Sequence, residues 1–81
     1  MEKRVAVIGI IIEDVASAPQ VNEILHGYSE VIVGRMGIPY TAKELHIISI
    51  AVDAPMDIIN AISGKIGRIP GVSAKAVCSA K

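Results

Sequence analysis

Apolar residues fall into four strand-like runs, with two helix-periodic stretches between them. Val5–Ile12 (VAVIGIII) is rich in β-branched residues and apolar at odd and even positions alike, the pattern of a strand covered on both faces. Glu13-Asp14 ends it. Ser17–Gln20 (SAPQ) has the form of a capping box, with Ser17 as N-cap, Gln20 reaching back and Pro19 in the first turn. Asp14 offers an earlier, Pro-kinked start to the same helix. Ala18, Val21, Leu25 and Tyr28 then recur at three- and four-residue intervals, and Gly27 is placed to terminate. Glu30–Pro39 reads as a second strand in which Gly34 and Gly37 announce a bulge or a close backbone approach. After a connection at Tyr40–Lys43, Glu44–Asp53 is a third strand, again apolar on both faces near its centre. Pro55 opens a second helix at its first position, with Asp57 in the first turn and Ile58, Ile59, Ile62, Ile66 and Ile69 as its buried stripe. Gly67 and Pro70-Gly71 stop it, and Val72–Ser79 alternates weakly as a fourth strand.

The order β-α-β-β-α-β predicts an α+β, ferredoxin-like domain: a four-stranded antiparallel sheet with two helices on one face. The usual strand order for it, 4-1-3-2, places strands 1 and 3 in the centre. Those are the two strands that read apolar on both sides. Two helices cover one face only, and the Ile and Val side chains on the other would make a patch too large for a soluble monomer. A homo-oligomer, dimer or tetramer, is therefore expected, through sheet-face stacking, edge pairing or both.

Composition sharpens this reading. The chain of 81 residues, expected to be a single domain over 1–81, is 52% hydrophobic but only 2% aromatic, so its core has to be built from Ile, Val, Leu, Ala and Met. Such apolar content excludes intrinsic disorder. The longest apolar run falls far short of the ~20 residues a membrane helix requires. Eight basic residues balance eight acidic ones with no basic block, which argues against a direct nucleic-acid surface. A single cysteine allows no internal disulfide and points to a cytoplasmic setting. The charged start and apolar run lack a small-residue cleavage site, and no signal peptide is expected.

The candidate chemistry is sparse. Gly64-Lys65-Ile66-Gly67 matches the GxxG clamp of KH RNA-binding domains in letters, yet it lies at a helix C-terminus with Pro70-Gly71 just beyond. A helix end with a tight turn is expected, Lys65 and Arg68 satisfying terminal carbonyls. His26, His46 and Cys78 are the soft metal ligands available, on three different elements, and could join only through tertiary or intersubunit geometry. Glu13, Asp14, Asp53 and Asp57 sit where strands hand over to helices, as caps and dipole partners do. No serine lies in a nucleophile-elbow context, and no acid–base–nucleophile set stands out. The expectation is a non-enzymatic protein without a cofactor. Arg35, between Gly34 and Gly37 in an apolar strand, needs an anionic partner: a ligand, a neighbouring subunit, or Glu30 or Glu44 across the hairpin.

Several strings taken together resemble the family of small iron-only hydrogenase system regulators. They are Asn22-Glu23-Ile24-Leu25-His26, Gly34-Arg35-Met36-Gly37-Ile38-Pro39, and Ser63-Gly64-Lys65-Ile66-Gly67 followed by Pro70-Gly71-Val72. The resemblance runs from about residue 3 to residue 77. It implies an ACT-like fold, related to the C-terminal domain of the nickel-responsive regulator, and a genomic association with hydrogenase maturation. Function is then expected to be regulatory, through a small-molecule effector or a hydrogenase-maturation protein. ACT domains hold amino acids at the first strand–helix turn, often beside a Pro-Gly pair. The corresponding turn here, Glu13 to Pro19, has no glycine. Any ligand is expected near Glu13, Asp14 and Ser17 of that turn and near Arg35. The second reading is a nickel or zinc sensor using His26, His46 and Cys78, as the related regulator uses histidines and a cysteine across subunits. A third is a scaffold that binds a maturation protein.

Overall fold

A computed structural model describes residues 2–80; Met1 and Lys81 lie outside the described residues. Its strands are β1 (Arg4–Ile12), β2 (Ile32–Tyr40), β3 (Leu45–Ala54) and β4 (Val72–Cys78), and its helices are α1 (Ala18–Gly27) and α2 (Met56–Gly67). The sheet order is β2-β3-β1-β4, with every neighbouring pair antiparallel. This is the predicted 4-1-3-2 arrangement read from the other edge, and β1 and β3 are central as expected.

Burial along β1 alternates strictly. Ala6, Ile8, Ile10 and Ile12 are at most 1% exposed, whereas Val5, Val7 and Ile11 are 45–50% exposed. On β3, Ile48, Ile50, Val52 and Ala54 are buried on the same side. The register places Ile8 opposite Ile50 and Ile10 opposite Ile48, so one continuous apolar face forms. Val21 and Leu25 of α1 and Ile59, Ile62 and Ile66 of α2 close over it, each at 0% exposure. Covering each of these side chains is worth about 1.5–3 kcal/mol, the main driving force for so small a chain. The second apolar set of β1 and β3 lies on the face opposite the helices.

Local structure departs from the predicted elements in three places. Ser17 is not the N-cap of a capping box: its backbone is already helical (φ −86°, ψ −8°) and its side chain makes no cap bond. A short 3-10 turn, Val15–Ser17, precedes α1, and Asp14 caps that turn instead by accepting from the Ala16 N–H at 3.0 Å. Pro55 is the extended N-cap of α2 rather than its first helical residue. Two further 3-10 turns, Ser29–Val31 and Thr41–Lys43, occupy the ends of β2, so the strand starts later than its apolar letters do. The bulge that Gly34 announced does form, at Val33 beside it, between the Ile32–Val52 and Gly34–Ala51 pairs.

Gly64–Gly67 forms the last turns of α2, as its position at a helix end implied, and Arg68 is the C-cap. Lys65 does not bond the terminal carbonyls. Its Nζ donates to the Tyr28 hydroxyl at 2.8 Å and lies 5.1 Å from that ring's centroid, tying the end of α2 to the end of α1. Among the described residues no helix is long and apolar enough to cross a membrane.

Candidate functional site

The edge strand β2 extends past the shelter of the helices. Its helix-side positions run Arg35, Gly37, Pro39, opposite Ile50, Ile48 and His46 of β3. Bulky side chains there would pack against α1, but Gly37 leaves the floor bare: a Cβ added to it would meet nothing within 4 Å. A groove therefore remains between α1 and β2.

Arg35 reaches across this groove to α1, where its Nη2 donates to the Asn22 side-chain oxygen. The expected ion pair with Glu30 or Glu44 does not form. Arg35 faces the helices, while Glu30 lies in the 3-10 turn before β2 and Glu44 in a left-handed residue (φ 55°) beyond its far end. Among the described residues the guanidinium therefore has an amide partner and no carboxylate partner. The sequence reading named Asn22 only within the string that carries the family resemblance and gave it no place in the site. The signal for it was present in the four-residue spacing from Asn22 to His26, which places both on one face of α1.

Asn22, His26 and Arg35 line one end of the groove, with Pro19 and Ser29. Asn22, Arg35, Gly37 and His46 line its middle. Beyond His46 a further depression opens, lined by Glu13, Asp14, Thr41 and Glu44. Five of the predicted residues, drawn from both the ligand and the metal sets, thus border connected depressions along one side of the molecule. They come from four separate segments of the chain.

Two predicted residues stand apart. Ser17 is 7% exposed, and its hydroxyl donates to the Pro70 carbonyl at 2.8 Å. The Glu13 N–H bonds the Gly71 carbonyl at 2.7 Å. The β1–α1 turn is thereby sealed by the α2–β4 turn, with the Ser17 hydroxyl committed to structure. Cys78 lies on β4 opposite Ala6, with its side chain against the core. His46 pairs with Ile12 at the other end of β1 and on its other side. Six residues of strand separate the two levels, about 20 Å at ~3.3 Å per residue. His26, His46 and Cys78 do not converge within one chain, and among the described residues no group of three or more His, Cys, Asp or Glu side chains is arranged to hold a metal ion.

This geometry sits on a fold with a known counterpart. The structure matches that of an uncharacterized protein, TM1266, from Thermotoga maritima, with a TM-score of 0.91 and 38% sequence identity, over 95% of this chain and 98% of that one. No curated protein matches the chain. Residues 4–76 match the family model of TM1266-like proteins, described as "Iron-only hydrogenase system regulator, putative". With nearly the whole sheet, both helices and the Arg35 groove inside the matched span, the chain belongs to the TM1266-like family of iron-only hydrogenase system regulators.

Proposed function

We propose that the chain is a non-enzymatic, ACT-like regulatory domain of the iron-only hydrogenase system, that it works as a homo-oligomer joined through its open sheet face, and that it answers to a small-molecule effector. The observation that carries the reading is the composition of that face. Val5, Val7 and Ile11 of β1, Met36 and Ile38 of β2, and Val77 of β4 are each 43–73% exposed, on the side of the sheet away from the helices. Ile38, Ile47 and Ile11 are consecutive neighbours in one row across three strands, so the apolar surface is contiguous rather than scattered.

A second copy suits this surface better than an unrelated partner. Four strands ~4.8 Å apart and about seven residues long present roughly 400 Å² in projection, against about 800 Å² of accessible surface per partner in a standard interface. Nearly all of the face has to be used, and a symmetric stack of two equal sheets uses all of it. The charges on the face are also self-complementary: Lys75 on β4 and Asp53 on β3 are of opposite sign, and an isologous stack can set each against its counterpart. Covering one such half-exposed aliphatic side chain contributes about 1–2 kcal/mol before the cost of association.

Light scattering and native mass spectrometry on the full chain test the reading. A homo-oligomer at micromolar concentration that Ile11→Lys converts to a folded monomer is expected. A wild-type monomer under these conditions overturns it, and a stable complex only with a hydrogenase-maturation protein assigns the face to that partner instead.

A further inference from the structure

The geometry points to a small-oxyanion site in the middle of the α1–β2 groove, built on Arg35, Asn22 and His46 over the bare floor of Gly37. This rests on the effector reading above and gives that effector a chemical class: a carboxylate or phosphate group.

The polar side chains that line this stretch are those of Asn22, Arg35 and His46, and no carboxylate is among them. Arg35 carries five N–H donors in a planar fork, and one of them is used on Asn22. That bond engages one N–H of the fork and leaves the others for two oxygens of an anion. It also fixes the Asn22 amide. With its oxygen accepting from Arg35, the donor NH₂ is the end left for a ligand. His46 approaches from β3, on the same face as Arg35 and two residues along from Ile48, the partner of Gly37. Its imidazole offers a further N–H donor to an oxygen of the anion.

Gly37 supplies the space. Its backbone is not in the left-handed region, and no neighbour lies within 4 Å of where a Cβ would sit. A larger side chain at this position would stand in the space beside the guanidinium that a ligand would take. The carboxylates nearest to this stretch lie beyond its two ends: Glu23 at the His26 end and Glu13, Asp14 and Glu44 past His46. An anion larger than a phosphate or a short dicarboxylate would meet them, so the charge pattern limits ligand size.

The test is a titration of the isotopically labelled full chain with inorganic phosphate and, separately, succinate, followed by amide chemical shifts at constant ionic strength. Saturable shifts at the Asn22 side-chain NH₂ and at the Gly37 and His46 amides are expected with at least one probe. Phosphate alone or succinate alone identifies which oxyanion class the site takes. Arg35→Gln should weaken binding at least about tenfold by removing the charged fork. Gly37→Val should do the same by filling the floor, in a strand where valine is well accommodated and the fold is retained. Shifts that persist in both variants, or that sodium chloride reproduces, overturn the site. The subunit count read from the same samples separates the two readings: an intact oligomer without anion binding removes this site alone, and a monomer that binds phosphate removes the oligomer alone.

Discussion

Gly71 and Asp14 stand so close that a Cβ added to Gly71 would lie 2.6 Å from Asp14 Cβ and 3.2 Å from its backbone nitrogen. Gly71 also has φ +76°, in the left-handed region. Two constraints thus fall on one residue, because the α2–β4 turn is pressed against the end of β1, where the Gly71 carbonyl accepts from the Glu13 and Asp14 N–H groups. Gly71→Ala combines a backbone penalty with a clash against Asp14 Cβ and should cost about 2–4 kcal/mol. Urea denaturation with an unchanged m-value would record it as a shift in midpoint.

The Ser17 hydroxyl and the Pro70 carbonyl close the same junction from the helix side. Ser17→Ala removes the donor and leaves a part-buried acceptor unpaired, for an expected loss of about 1–2 kcal/mol. Gln20→Ala should change stability by less than about 0.5 kcal/mol, because no capping box exists for it to complete. If the two losses proved equal, the capping-box reading of this segment would be restored.

How much of the architecture was legible follows from which forces set each part. Element order and the central place of β1 and β3 are carried by long aliphatic runs, and no competing pattern obscured them. The register of β1 was legible only in part, since Val5, Val7 and Ile11 are as apolar as Ala6, Ile8 and Ile10. Which set faces the helices depends on tertiary packing. At the start of α1 the SAPQ capping box fits in letters but does not form, and the earlier start that Asp14 offered is taken up as a capped 3-10 turn. Arg35 was recognised as unusual, but its partner lay on a helix thirteen residues back in sequence, where no local spacing leads.

Core and open face should respond differently to the same truncation. Ile8→Ala and Ile62→Ala delete side chains with no exposure and should each cost about 2–5 kcal/mol. Ile11→Ala, on the half-exposed set, should cost less than about 1.5 kcal/mol in a dilute, dissociated sample. At higher protein concentration the Ile11 variant should lose its concentration-dependent gain in thermal midpoint, which wild type keeps if the faces stack. A concentration-independent midpoint for wild type would contradict that.

Lys65 and Tyr28 lock the ends of the two helices together through one hydrogen bond and a cation–π contact. Both groups are exposed to solvent at the bond. Tyr28→Phe removes the hydroxyl and keeps the ring, and its cost should stay within about 0.5 kcal/mol; Lys65→Met removes both contacts and should cost no more than about 1 kcal/mol. Hydrogen exchange at the C-terminal turns of α1 and α2 should rise in the lysine variant before global stability falls.

The bulge at Val33 and the proline at position 39 lie on the same edge strand, β2. An extra residue twists that edge out of register, and a proline withholds a backbone donor from it. A neighbouring chain cannot add a strand there without losing pairs at both ends. Growth of the sheet by repeated edge addition needs two receptive edges, one on each side of every subunit. With β2 blunted, that route ends after a single β4-to-β4 junction. Open-ended growth of so aliphatic a sheet by edge addition is thereby disfavoured.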